Sequence, residues 1–223
     1  MAIMIRTDAD IQRDVMEEFV WDPEVEVTDV GVEVDDGVVT LTGSVREYAT
    51  KLAAERAAFR VAGIRAVAND VEVHTVWSDE RTDTDVAKAA ANVIQHNTTI
   101  PDDAIDIKVA RNWVTLTGQV EWDHQRRAAE KAIKRIHGVS GVTNMISIKQ
   151  PAASASDITE GIERALVRSA EVDADRITVS VDGGHVTLTG SVRSWLERQE
   201  AHEAAWKSRG VTAITNKIEI RAP

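Results

Sequence analysis

One five-residue phrase occurs three times in this chain. Val39-Thr-Leu-Thr-Gly43 returns as Val114-Thr-Leu-Thr-Gly118 and again as Val186-Thr-Leu-Thr-Gly190, at offsets of 75 and 72 residues. Recurrence at a near-constant period marks a small structural unit used repeatedly. The copies align well beyond the phrase, and without gaps. Ile11, Val86 and Ile158 lie 32 residues before the three glycines. Gly63, Gly138 and Gly210 lie 20 residues after them, and Asn69, Asn144 and Asn216 lie 26 after. The 223 residues therefore divide into three expected modules, 1–77, 78–150 and 151–223. Each aligned unit has roughly 65 residues, near the size at which a lone core is marginal, so the modules are expected to pack on one another.

Each copy carries the same order of local signals. Thr7-x-x-Asp10, Thr82-x-x-Asp85 and Ser154-x-x-Asp157 resemble capping boxes with Asp in place of Glu. Apolar residues follow at helical spacing, as in Val86, Ala90, Val93 and Ile94, or Ile158, Ile162, Ala165 and Leu166; the first copy puts Glu18 into this series. Alternation then predicts a strand through Val30, Val32 and Val34, and through Ile105, Ile107, Val109 and Ile177, Val179, Val181. Asp36-Gly37 and Gly183-Gly184 suit a two-residue hairpin turn whose central residues need positive φ, and Arg111-Asn112 is the weaker middle version. The repeated phrase is the second strand, with Val39, Leu41 and Val45 inward and Thr40, Thr42 and Ser44 outward. A second helix is expected over about residues 47–62 and their equivalents, closed by Gly63, Gly138 and Gly210 as C-terminal caps. Its inward residues are small: Ala54, Ala57, Ala58 and Val61; Ala129, Ala132, Ile133 and Ile136; Ala201, Ala204, Ala205 and Ser208. A last strand alternates Val67, Val71, Val73, then Val142, Ile146, Ile148 and Ile214, Ile218, Ile220. The fold class is thus α+β: three tandem αββαβ modules, each a small mixed three-stranded sheet covered by two helices.

Charge and composition narrow the function classes. The net charge of −11 is uneven: residues 1–77 carry −9, residues 78–150 carry 0 and residues 151–223 carry −2. An acidic chain is a poor ligand for nucleic acid, whose affinity comes mainly from Lys and Arg. Absence of cysteine excludes disulfides and thiol chemistry. The first eight residues hold only a short apolar run, and no stretch approaches the ~18 apolar residues of a membrane span. A soluble, cytoplasmic protein is expected, compatible with peripheral membrane association. The six histidines share no module position, and no nucleophile motif or phosphate loop is present, so an enzyme is not expected. Gly138-Val-Ser-Gly141 has the Gly-x-x-Gly spacing of KH domains but follows a helix into a strand, which is the wrong context. Asp35-Asp36 and Asp102-Asp103 are read as solvated turn acids. No cofactor is expected.

The αββαβ pattern, carried by the Val-Thr-Leu-Thr-Gly strand and the fixed glycine-to-asparagine spacing, resembles the BON domain over about residues 7–73, 82–148 and 154–220. That resemblance implies a non-enzymatic protein linked to osmotic or envelope stress, with attachment to phospholipid surfaces. It supplies no catalytic residues.

Candidate site residues follow from what is shared and what differs. Gly43, Gly118 and Gly190 leave room either for a ligand or for a crossing helix or strand bend; recurrence in every copy favours structure. Asn69, Asn144 and Asn216 are read as bonding local backbone at the entry to the last strand, rather than a ligand. Six tryptophans, Trp21, Trp77, Trp113, Trp122, Trp195 and Trp206, are unevenly placed. Tyr48 and Trp195 align, with Trp122 one position earlier, where the second strand enters the second helix. They form either a patch for lipid or protein, or packing between modules. Arg126, Arg127, Lys131, Lys134 and Arg135 cluster on the second helix of the middle copy. They suit anionic headgroups, the acidic first module, or plain solvent. The expected partner is a phospholipid surface or another protein, and the sequence sets no oligomeric state.

Overall fold

The computed structural model describes residues 6–25, 29–74, 81–101, 103–151, 153–169 and 174–221. The first module runs α1 (Asp8–Trp21), β1 (Val30–Asp35), β2 (Val38–Val45), α2 (Tyr48–Arg60), β3 (Ala66–Asn69) and β4 (Glu72–Val73). The second runs α3 (Asp83–Gln95), β5 (Ile105–Ala110), β6 (Trp113–Val120), α4 (Asp123–Lys134) and β7 (Gly141–Ile148). The third runs α5 (Ala155–Arg168), a single 3-10 turn, β8 (Ile177–Asp182), β9 (His185–Val192), α6 (Trp195–Trp206) and β10 (Ala213–Ile220). Three sheets with two helices each give the α+β, αββαβ architecture that the spacing predicts. Trp77, Asp102 and most of the 74–81 linker lie outside the described residues.

In every module the repeated phrase is the central strand, in the orders β1-β2-β3, β5-β6-β7 and β8-β9-β10. The hairpin makes the first pair antiparallel, as in Val32↔Leu41 and Val179↔Leu188. The helical crossover then returns the last strand parallel to the centre, as in Val39↔Val67 and Leu188↔Asn216. The first module departs from one continuous last strand: β3 and β4 pair separately with β2, on either side of residues 70 and 71.

Each core lies between the sheet and its helices. Val39 and Leu41, Val114 and Leu116, and Val186 and Leu188 are fully buried. The first helices meet them with Ile11, Val15 and Phe19, with Val86 and Ala90, and with Ile158, Ile162 and Leu166. The small residues of α2 and α6, such as Ala54, Ala58, Ala201 and Ala205, have no exposed surface and let those helices lie close to the sheet. Val61, Ile136 and Ser208 fall beyond the helix ends, and Gly63, Gly138 and Gly210 sit in the following turn rather than at the cap itself. Both threonine capping boxes close fully. In the third copy the Ser154 hydroxyl still accepts from Asp157 N, and it donates to the Asp157 carboxylate at 2.6 Å. Glu18, out of place in an apolar series, turns outward to Arg60 at 2.5 Å.

Met4–Val120 and His124–Ser147 form one compact unit, and Ile148–Pro223 with Glu121–Asp123 belongs to another. Within the first unit, α2 begins against the second module. His137 Nδ1 lies 3.1 Å from Glu47 Oε1. The Tyr48 hydroxyl is held by the backbone of Val142, and burial, then the nearby Glu130 and Glu55 carboxylates, raises its pKa.

Candidate binding surfaces

The shared positions build the scaffold. Gly43, Gly118 and Gly190 adopt φ of +120°, +126° and +124°. A Cβ there would lie 2.1, 2.2 or 2.0 Å from the carbonyl oxygen of Asp29, Ala104 or Arg176. The room that glycine provides is therefore taken by backbone at the start of the neighbouring strand, and not by a crossing helix.

Asn69 and Asn144 each bracket two elements. The Asn144 amide donates to Arg126 O at 3.1 Å and to Glu130 at 3.0 Å, and its oxygen accepts from Ile146 N at 3.2 Å. Asn69 repeats this with Lys51 O, Glu55 and Val71 N. Asn216 keeps the bonds to Arg198 O and from Ile218 N, but His202 stands where the other copies have glutamate. Local bonding at the strand entry is thus one arm of the motif; the other arm fastens the strand to the second helix, which spacing alone did not reveal.

A further shared device escaped the sequence reading. Asp8 accepts from Asp36 N and Gly37 N, both at 2.9 Å. Asp83 accepts from Arg111 N at 2.9 Å and from Asn112 N at 2.7 Å. The first residue of the first helix thus clamps the hairpin turn. Arg111 and Asn112 both take positive φ, +53° and +58°, without a glycine. The third copy has Ala155 at the clamp position and Gly183-Gly184 in the turn, with only Gly183 at positive φ. The visible signal was aspartate at equivalent positions in the two copies whose turns lack a glycine pair.

The divergent residues supply the surfaces. Lys131 and Arg135 are exposed on α4, whereas Arg126 and Arg127 are half-buried. Lys134 forms an ion pair with Glu130. Burial would raise the Glu130 pKa, but the Lys134 and Asn144 hydrogen bonds outweigh it and hold the carboxyl below its usual range. Lys134 occupies the place of Phe59 and of Trp206, which is 6% exposed in the third module. The five bases are therefore not one uniform patch, because Lys134 belongs to the Asn144–Glu130 network.

The aromatic residues separate likewise. Tyr48 faces the second module, as described above. Trp195 is half-buried, with the Arg198 guanidinium 4.9 Å from its ring centre. Burial lowers the Arg198 pKa, and its side chain also donates to Ile218 O and Asn216 O. Trp122 is half-buried just ahead of α4. Trp206 is core, donating to His202 at 3.1 Å, and Trp113 donates to Thr143 at 2.8 Å. Trp21 is the bare one of the described tryptophans, 84% exposed beside Val20 at 68%.

The histidines do not converge. His74 pairs with Glu72, His137 with Glu47, His185 with Thr215 and His202 with Trp206. Among the described residues no group of three or more His, Asp or Glu side chains is placed to hold a metal. No helix there is long and apolar enough to cross a membrane.

A constant αββαβ scaffold repeated three times, with charge and aromatics varied on it, defines a tandem-module α+β protein. The BON domain model matches residues 7–75, 82–150 and 154–222, and the chain belongs to the BON domain family. It is 27% identical to osmotically-inducible protein Y of Escherichia coli (strain K12) over 142 residues, 60% of this chain and 70% of that protein. An uncharacterized protein of Deinococcus radiodurans is 39% identical over 57 residues, 26% of this chain and 22% of that protein. A solved structure of CdsD, a structural protein of the type III secretion system of Chlamydia trachomatis, aligns over 96% of this chain and 93% of its own, with 16% identity and a TM-score of 0.28. A score that low carries no structural argument.

Proposed function

We propose that this chain is a non-catalytic binding or scaffold protein of BON type, acting in osmotic or envelope stress and associating peripherally with phospholipid surfaces. The observation that carries the reading is the contrast between copies. Positions that build the module repeat, while α4 replaces Glu203 of the third module with exposed Lys131 and Gln199 with half-buried Arg127. Similarity to an osmotically inducible protein supports the stress setting. Membership of the BON domain family, with no catalytic family matched beside it, supports a non-catalytic role. Each base near an anionic bilayer contributes about 1 kcal/mol, so Lys131 and Arg135 together give roughly tenfold or more in partitioning. Flotation with phosphatidylglycerol vesicles at low salt tests this. The intact chain is expected to float with anionic but not zwitterionic vesicles, and Lys131→Glu/Arg135→Glu to remain behind. Equal behaviour of the two proteins would sink the lipid reading.

One observation favours a protein partner instead. Trp21 and Val20 form an exposed apolar step at the end of α1, of the kind enriched at interfaces. Under that reading Trp21→Ala abolishes association seen by light scattering, and a monomer in both forms rules out self-assembly through this step.

A further inference from the structure

The same groove occurs in the first and third modules with opposite chemistry. It lies between the first helix and the turn that follows the second. In the first module it is lined by Arg6, Asp14, Glu17, Glu18, Trp21 and Arg60. Its two cations are neutralised inside the module. Arg6 pairs with Asp14, and Arg60 pairs with Glu18 at 2.5 Å and Asp22 at 2.6 Å. The Arg60 hydrogen bond, more than compensating for burial, holds the Asp22 pKa below its usual range.

The third module rewrites these positions one by one. Asp14 becomes Gly161, Glu17 becomes Arg164, Glu18 becomes Ala165, Trp21 becomes Arg168 and Asp22 becomes Ser169. Arg60 remains a cation as Lys207, and Ala62 becomes Arg209. Every one of those neutralising acids is gone, Arg6 is lost as Ala153 and three cations are added, a net gain of two. The resulting groove of ≈ 530 Å³ is lined by Arg164, Arg168, Lys207 and Arg209, with Asp157 as the single acid among its described lining residues. Arg164 lies 3.8 Å from Glu160, with both side chains 67% exposed, which is a loose pair. Arg168, Lys207 and Arg209 make no ion pair among the described residues. Gly161 lets Ser208 pack closely against α5: a Cβ there would lie 2.5 Å from Ser208 Oγ.

Four like charges around one hollow repel one another unless an anion sits between them. Guanidinium forks match the geometry of phosphate oxygens, and an ammonium adds a point charge. We infer that the third module's groove is a binding site for a phosphate-bearing anion, either a soluble phosphate compound or a phospholipid headgroup. The site lies on different elements from the α4 face, so the two readings stand or fall separately.

The test uses the whole chain. Pyrophosphate and glycerol phosphate are titrated calorimetrically at low salt, and vesicles of phosphatidylglycerol or phosphatidylcholine are added in a parallel flotation arm. Two variants are compared: Ala165→Glu/Ser169→Asp, which restores the first module's acids around Lys207, and Arg168→Gln/Arg209→Gln, which alters only exposed side chains. Both are expected to weaken binding at least tenfold while leaving the thermal midpoint nearly unchanged, and Lys131→Glu/Arg135→Glu is expected to leave the phosphate isotherm as it was. Binding of the small anions assigns a soluble source. Association with anionic vesicles alone, lost in both groove variants, assigns a headgroup. No binding in either arm, or binding that the arginine variant leaves intact, overturns the proposal.

Discussion

At the scale of single residues, the two-residue hairpin turn shows how one geometry is reached by two chemistries. Left-handed backbone costs an L-residue roughly 1–2 kcal/mol. The third module avoids most of this with Gly183-Gly184. The second carries Arg111 and Asn112 at positive φ and offsets the strain with two bonds to the Asp83 carboxylate. Hydrogen bonds to a charged acceptor contribute about 1.5–3 kcal/mol where they are sheltered, and less where water competes. Asp83→Ala is therefore expected to destabilise the protein by about 1–2 kcal/mol in chemical denaturation. Adding Asn112→Gly to that variant is expected to recover about 1 kcal/mol, since it relieves the strain that the clamp was holding. A double variant no more stable than Asp83→Ala would show that the clamp acts elsewhere.

At the scale of elements, the Asn144–Glu130–Lys134 network joins β7 to α4 and carries a pH dependence. The Glu130 pKa is lowered in the folded protein from an ordinary 4.5. Its ionised form is therefore favoured by folding. The contribution is fully present above the unfolded pKa and is lost as pH falls through the lowered folded value. Thermal melts of wild type and Glu130→Gln should differ by about 1 kcal/mol near neutrality and converge as the pH falls below the ordinary carboxylate range. A constant gap across that range would mean that the charge is not the cause. The repeat made these elements legible beforehand. Gapless alignment of three glycines and three asparagines placed every helix and the central strand, because backbone conformation and close carbonyl contact leave little freedom at those positions. Two kinds of feature stayed hidden. Long-range polar contacts such as Asp83 with Asn112 leave no periodic trace. The break between β3 and β4 contradicts an alternation that reads the same in all three copies, with Asp70 bonding instead to Leu41 O at 2.8 Å.

At the scale of the whole molecule, aromatic side chains that look like a binding patch in sequence have different fates. Tyr48 joins the first two modules, and Trp195 lies under Arg198. Half-buried Tyr48 buries roughly half of what a core aromatic would, so Tyr48→Ala is expected to cost about 2 kcal/mol. It should also speed hydrogen exchange at Val142 and its neighbours on β7. Unchanged protection of β7 would refute the link between the modules. The basic residues divide in the same way between internal ion pairs and open surface, and that division was not readable from the clustering of Arg and Lys alone. The aspartate clamp finally bears on the order in which the chain becomes stable. In the first two modules the hairpin turn is completed by a residue 28 positions earlier in the chain. Those hairpins depend on a helix that must already be docked, and they carry the loop-closure entropy of that distant contact. The third module's glycine turn needs no such side-chain clamp, although Gly184 O still accepts from Thr212 N at 2.8 Å. Its hairpin turn can form before the first helix docks, which gives the third module the more local folding instructions.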